Sequence, residues 1–138
     1  MGRLLAIDYG TKRTGIAATD PLQIIANAVD TIETPKLFDF LTEYFEKESV
    51  DLVIVGEPFR ADGSPAQSTP EIEKFIAKFK KKFPEMKVDR EDESFSSKEA
   101  FETMIQSGIS KKKRTKKDLV DRISATIILK NYMENKGL

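Results

Sequence analysis

Apolar residues form three short runs at the start of the chain, over residues 3–8, 13–19 and 24–32. Each run is rich in Leu, Ile, Val, Ala and Thr, a composition typical of β-strands. The runs are separated by the turn sequences YGTK and DPLQ. Links as short as these favour antiparallel neighbours, because parallel strands need a longer crossover. The pattern therefore predicts three antiparallel strands.

From Thr34 onwards the apolar spacing alternates between helical and strand-like. Thr34-Pro35 is a helix start, and apolar residues follow at positions 37, 38, 41, 44 and 45. Residues 51–56, DLVIVG, form a continuous apolar run of the kind that is buried on both faces of a sheet. A second helix is predicted from about residue 69, and a short strand over residues 86–91.

Two further helices are predicted in the last third of the chain. Ser96 and Glu99 have the spacing of a capping box and start a helix that runs through Ser107. The last helix is predicted from Thr115 to Glu134. Its expected core-facing residues are Leu119, Val120, Ile123, Ile127, Ile128 and Tyr132.

Strands that alternate with helices pair in parallel, so the element order predicts an α/β fold with a mixed sheet and helices on both faces. Sites in such sheets form at the carboxyl ends of the strands. Acidic residues fall at these ends: Asp8 ends the first strand, Glu57 follows the fourth, and Asp92 and Glu93 follow the fifth. We expect their carboxylates to converge on one rim.

The length of 138 residues predicts a single domain over residues 1–138. No apolar stretch approaches the ~18 residues that span a bilayer, and no signal peptide is evident, so we expect a cytoplasmic protein without a membrane partner. The chain contains no cysteine and no histidine. This composition excludes disulfides, thiolate zinc sites, thiol nucleophiles and a histidine base, so an enzyme on this chain would use carboxylates, Lys or Tyr.

The net charge is zero, yet the charges are unevenly distributed. Residues 1–69 contain 6 Lys/Arg and 11 Asp/Glu, whereas residues 70–138 contain 17 and 12. The densest basic run is KKKRTKK, over residues 111–117. Such a run is either a solvated face or a phosphate-binding segment, and composition alone leaves both open.

Four motifs occur in order along the chain: IDYGTKRTGIA, GEPFRADGS, DESFS and LVDRISATIIL. Together they resemble the YqgF/RuvX family of ribonuclease H-like nucleases, whose members are described as Holliday junction resolvases or pre-16S rRNA nucleases. The resemblance covers essentially the whole chain. It implies a ribonuclease H-like five-stranded mixed sheet and an acidic triad of Asp8, Glu93 and Asp121. It further implies Mg²⁺ or Mn²⁺ as cofactor, with two ions when substrate is bound.

The chain departs from the family pattern at two positions. Ser94 stands where the family usually has Arg, and Asp118 where it usually has Gly. Each triad residue also has a simpler interpretation: Asp8 as a turn residue, Glu93 as a solvated acid, and Asp121 as a surface partner of Lys117 at i−4.

Two groups of residues are candidates for substrate binding. Gly10, Thr11, Lys12 and Arg13 form the first turn, where glycine permits close backbone approach and the two cations can hold phosphates beside the metal site. Lys112, Lys113 and Arg114 belong to the basic run, which leads into the helix that carries Asp121. The alternative for both groups is plain solvent exposure.

The expected partner is nucleic acid, either structured RNA or branched DNA, and ribosomal precursor particles are candidates. The motif DYGTKRTG also looks like the first phosphate-binding turn of the actin, Hsp70 and sugar-kinase ATPases, but those proteins need two such lobes. A non-catalytic nucleic-acid-binding or ribosome-assembly factor on the same fold also stays open. We expect a monomer or weak homodimer, because an rRNA-processing nuclease can work as a monomer and the sequence shows no obvious dimer face. A resolvase would instead need a stable dimer to cut two strands symmetrically.

Overall fold

The computed structural model describes residues 2–57, 69–92 and 117–136. The strands are β1 (Arg3–Asp8), β2 (Arg13–Thr19), β3 (Ala26–Glu33), β4 (Val50–Glu57) and β5 (Val88–Asp92). The helices are α1 (Leu37–Lys47), α2 (Thr69–Lys82) and α3 (Lys117–Asn135), and a 3-10 turn over Thr34–Lys36 leads into α1. Within these ranges, no helix has both the length and the apolar character needed to cross a membrane.

The five strands form one sheet in the order β3-β2-β1-β4-β5. β1 pairs antiparallel with β2, which pairs antiparallel with β3. On its other side β1 pairs in parallel with β4, and β4 in parallel with β5. The predicted mixed sheet, with three antiparallel strands followed by two parallel ones, is therefore confirmed, and β1 is its central strand.

Helices cover both faces of the sheet because β1 alternates apolar side chains to both sides. Leu5 and Ile7 pack in a cluster with residues of α1 and α2. Leu4 and Ala6, on the opposite face, pack with residues of α3. All four are nearly inaccessible to solvent. The central strand is thus buried on both sides, which explains its unbroken apolar run.

Two details of the sequence pattern differ from the fold. The third strand begins at Ala26, two residues later than predicted, and Ile24 and Ile25 lie in an exposed turn. In α3, Ile127 was expected to face the core but is only half-buried. Among the described side chains of this helix, the buried ones are Ser124, Ala125, Ile128, Leu129, Tyr132 and Met133. The helix predicted over residues 96–107 lies outside the described residues.

Candidate active site

Asp8 is the last residue of the central strand. Side chains alternate along a strand, so Asp8 lies on the same face as Leu4 and Ala6, the face that α3 covers. Its side chain is half-buried, and its backbone pairs with Gly15 of β2. The acid therefore lies at the carboxyl end of β1, in the layer between the sheet and α3.

Asp121 lies in the first half of α3, the helix that packs across β1, β2 and β3. Its position is four residues before Ala125 and seven before Ile128, both of which are buried against the sheet. The structure thus brings Asp8 and the helix carrying Asp121 to the same side of the sheet.

The third family acid, Glu93, lies outside the described residues. The two preceding candidates at the rim, Glu57 and Asp92, are the last residues of β4 and β5 and pair directly with each other. The backbone therefore brings strand ends that carry acids to one edge. Among the described residues, no three carboxylates come close enough together to hold a metal ion.

The β1–β2 turn is fixed by a relay of two hydroxyl groups. Thr34 donates its hydroxyl proton to the carbonyl oxygen of Gly10, at 2.6 Å. The Thr14 hydroxyl lies 3.0 Å from the Thr34 hydroxyl and must be the donor to it, because the Thr34 proton is already used. A Cβ at position 10 would overlap the carbonyl oxygen of Arg13, so this turn requires glycine.

The candidate phosphate-binding side chains of the turn differ in exposure. Thr11 and Lys12 are exposed, whereas Arg13 is half-buried at the start of β2, opposite Glu33 of β3. The Lys12 carbonyl accepts a hydrogen bond from the Thr34 backbone at 3.0 Å, which ties the turn to the start of α1. The remaining basic candidates, Lys112, Lys113 and Arg114, lie outside the described residues.

A polar contact between α3 and β5 was not predicted from the sequence. Tyr132 donates its phenolic proton to a carboxylate oxygen of Asp89 at 2.6 Å. Burial, followed by the hydrogen bond to Asp89, raises the pKa of Tyr132 to about 12. The same hydrogen bond, with that from the Arg90 backbone, lowers the pKa of Asp89. The sequence indicated only that Tyr132 lies on an apolar helix face, and it did not indicate a partner for the phenol.

A second feature that sequence reasoning missed is a cleft beside the β1–β2 turn. Its wall includes Tyr9 from the turn, Phe38 from α1 and Phe75 from α2. The helical periodicity placed Phe38 on an apolar face, but nothing in the sequence indicated that it meets Tyr9 and Phe75. The cleft opens on the face of the sheet opposite to that of Asp8.

Comparison with proteins of known sequence gives full-length matches. A protein of Flavobacterium psychrophilum named "Putative pre-16S rRNA nuclease" is 56% identical over 136 residues, which is 99% of each chain. Proteins with the same name from Christiangramia forsetii and Bacteroides fragilis are 54% and 48% identical, and the latter match covers 100% of both chains. The alignments with these proteins therefore include all of the described site residues.

Comparison with solved structures supports the fold. The structure described as T. thermophilus RuvC in complex with Holliday junction substrate matches with a TM-score of 0.56 and 14% identity, covering 99% of this chain and 97% of that one. A second Thermus thermophilus RuvC structure gives a TM-score of 0.55. The RuvX family, described as Holliday junction resolvase, matches residues 2–135. The four motifs, the mixed sheet with Asp8 at its central strand end, and this match over nearly the whole length show that the chain belongs to the RuvX family.

Proposed function

We propose that this chain is a metal-dependent endonuclease that hydrolyses phosphodiester bonds in structured nucleic acid. The observation that carries the proposal is the position of Asp8, at the carboxyl end of the central strand and on the face covered by the helix that contains Asp121. An acid from a strand and an acid from a helix packed on that strand can act on the same phosphate. Glu93, one residue beyond β5, is the third proposed member of the site.

The donor chemistry fits a hard divalent cation. Mg²⁺ and Mn²⁺ prefer carboxylate oxygens, and the chain has no histidine or cysteine that would select a softer metal. Asp8, Glu93 and Asp121 would hold the cation, with two ions when substrate is bound. A bound cation at this site would supply charge neutralisation at the scissile phosphate and a lower pKa for the attacking water.

The other proposed residues bind and orient the substrate. Lys12 and Arg13 would contact phosphates that flank the scissile bond, and the hydroxyl relay through Thr34 fixes the turn that carries them. Lys112, Lys113 and Arg114 would extend this contact along the backbone of the nucleic acid. Phosphate contacts of this kind set register and supply most of the affinity, but they carry no sequence information.

The proposed substrate is the 5′ end of precursor 16S rRNA, since the similar proteins from three genera carry a name that refers to this RNA. This role would place the chain in the cytoplasm with ribosomal precursor particles, as a monomer or weak homodimer. The description of the family supports the second candidate, resolution of Holliday junctions.

One cleavage experiment separates these functions. Purified protein is incubated with Mg²⁺ or Mn²⁺ and either a precursor 16S rRNA fragment or a four-way DNA junction, and the products are mapped. Cleavage of the RNA near the mature 5′ end supports rRNA processing, and paired symmetric cuts in the junction support resolution. Binding of either substrate without cleavage would overturn the nuclease proposal and favour a non-catalytic assembly factor.

A further inference from the structure

The cleft beside the β1–β2 turn has the size and the walls of a site for one planar ring. Its volume is about 330 Å³, near the lower end of the range of about 300–1,000 Å³ for small-ligand pockets. Tyr9 and Phe75 stack with ring centroids 4.9 Å apart and planes at 24°. Phe38 lies against Phe75, with centroids 5.5 Å apart. The cleft is thus lined by an ordered aromatic cluster.

The mouth of the cleft carries a net positive charge. Lys74 and Lys78 of α2 line it one helical turn apart, together with Glu71. Lys74 lies 3.7 Å from the Glu71 carboxylate, so these two charges offset each other. Lys78 is exposed and has no ion pair within the described part of the chain. An anionic group beside the cleft would therefore find its counter-charge at Lys78.

Hydrogen-bonding groups complete the wall. Thr11 and Thr34 line the turn side of the cleft, and the Thr34 hydroxyl is already engaged with Gly10 and Thr14. Tyr9, whose phenol can donate a hydrogen bond, is a further polar residue of the lining. Among the described lining residues, the cleft thus offers flat apolar surface, a few polar groups and one cation without an ion pair, which together match a nucleotide.

We infer that this cleft binds one unpaired nucleotide of the substrate, with its base against Tyr9 and Phe38 and its phosphate near Lys78. The inference rests on the proposed function: the subsite requires that the chain binds nucleic acid, and the position of the cut requires the proposed cleavage at Asp8. Every base has a face that can stack on an aromatic ring, so the site tolerates any sequence. A base held in a duplex is already stacked and paired and cannot enter.

This subsite narrows the substrate class. Tyr9 directly follows Asp8 in the chain, so the cleft and the proposed cleavage site lie on the two sides of one turn. A strand that crosses the turn would present its scissile phosphate to Asp8 and an adjacent nucleotide to the cleft. The preferred substrate is therefore a duplex that ends in a single-stranded extension, with the cut next to the unpaired nucleotide.

The test measures base stacking directly. The probe is an RNA hairpin with a short single-stranded tail that contains 2-aminopurine, a fluorescent base whose emission falls when it stacks. Binding to the full chain is measured with Ca²⁺ in place of Mg²⁺, so that turnover does not contribute. We expect the wild-type chain to quench the emission and to bind the tailed hairpin more tightly than a blunt one.

Two variants each remove one ring of the aromatic wall, and one matched control serves for both. Tyr9→Leu and Phe38→Leu should each weaken binding of the tailed hairpin about ten-fold and reduce the quenching, since stacking contributes ~1–3 kcal/mol per base and ~1.4 kcal/mol is ten-fold. Tyr44→Leu removes a ring of α1 that lies outside the cleft and stacks on Phe40 instead. It should leave both readouts unchanged.

The charge at Lys78 is tested by salt dependence. Lys78→Gln should reduce the slope of log K against log salt by about 0.7, the value for one phosphate contact on a single strand. Lys80→Gln, on the same helix but outside the cleft lining, should reduce it less. Circular dichroism verifies that each variant is folded, and Lys78→Gln keeps the inference testable if an aromatic variant does not fold.

The possible failures are distinguishable. The inference is overturned if the wild-type chain does not quench the probe, if it binds blunt and tailed hairpins equally, or if Tyr9→Leu and Phe38→Leu behave like Tyr44→Leu. A chain that quenches through the cleft but never cuts with Mg²⁺ or Mn²⁺ supports the subsite and contradicts only the nuclease proposal. A chain that cuts while the cleft variants quench normally refutes the subsite alone.

Discussion

At the scale of single residues, the contact between Tyr132 and Asp89 ties the last helix to the edge strand. The hydrogen bond is 2.6 Å long, and Tyr132 is 5% exposed. Hydrogen bonds to a charged acceptor are short and strong, and they favour the ionised carboxylate over the protonated one. The stability of α3 on the sheet, and hence the position of Asp121, therefore depends in part on the charge of Asp89.

Replacement of Tyr132 by Phe should lower the free energy of unfolding by about 1 kcal/mol at neutral pH, because the ring remains and only the hydrogen bond is lost. This loss is at the low end of the range for a hydrogen bond to a charged acceptor, because Asp89 is partly exposed to solvent. Urea denaturation measures it. Tyr44→Phe removes a phenol with no hydrogen bond among the described residues and should cost less than about 0.5 kcal/mol.

The same pair gives a pH dependence with a defined sign. The folded pKa of Asp89 lies below its usual 3.8, so its contribution is present above that value and is lost as the pH falls through the folded pKa. The folded pKa of Tyr132 is about 12 against 10.0, so its contribution is present below pH 10 and is lost as the pH rises towards 12. The stability difference between wild type and Tyr132→Phe should therefore shrink at both extremes. A difference that stays constant from pH 7 to pH 2 would contradict the assignment.

At the scale of elements, the β1–β2 turn and the start of α1 behave as one unit. Thr34 joins them through its backbone N–H, which bonds to Lys12, and through its hydroxyl, which bonds to Gly10. The turn carries the candidate phosphate ligands and Tyr9 of the cleft. Its geometry therefore controls both proposed contacts with the nucleic acid.

Thr34→Val tests this coupling because valine keeps the shape of threonine but cannot form the hydroxyl relay. The buried Thr14 hydroxyl and the Gly10 carbonyl would lose their partner, so we expect a loss of ~1–2 kcal/mol in unfolding free energy and weaker RNA binding. Thr34→Ser retains the hydroxyl and should restore most of both. Wild-type stability and binding in Thr34→Val would show that the relay does not fix the turn.

The basic run over residues 111–117 is the second group of proposed phosphate contacts. Replacement of Lys112, Lys113 and Arg114 by Ala should flatten the slope of log K against log salt by roughly two units and weaken binding to all sequences alike, since each phosphate contact contributes ~0.7–0.9. A control removes three exposed lysines from separate parts of the fold: Lys47, Lys87 and Lys130. Equal slopes for the two triple variants would identify the run as a solubility feature.

At the scale of the whole molecule, the sheet could be predicted because each strand is a compact apolar run between turn residues. The prediction failed at the start of β3, where Ile24 and Ile25 are apolar but 63% and 60% exposed. The carboxylate of Asp20 accepts hydrogen bonds from the backbone N–H groups of both residues and holds them in a turn. Local hydrogen bonding outweighed apolar character there, and hydrophobic periodicity does not register that competition.

The candidate site was predictable only in part. The strand pattern placed Asp8 at a carboxyl end, and the structure confirms that position. The face on which Asp8 lies depends on which helix covers which side of the sheet, and the sequence pattern does not specify this. The aromatic cleft was not predictable, because Tyr9, Phe38 and Phe75 come from three separate elements and meet only in the folded chain.

The central claim is that Asp8 acts in phosphodiester cleavage, and Asp8→Asn tests it most directly. Asparagine has nearly the same volume but no charge, so it should leave the fold intact and thermal stability undiminished while it removes a metal ligand. The measurement is the cleavage rate of precursor 16S rRNA and of a four-way junction with Mg²⁺ or Mn²⁺. The control is Asp30→Asn, at an exposed position on β3. We expect cleavage to be abolished in Asp8→Asn and unchanged in Asp30→Asn, whereas wild-type rates in Asp8→Asn would contradict the account.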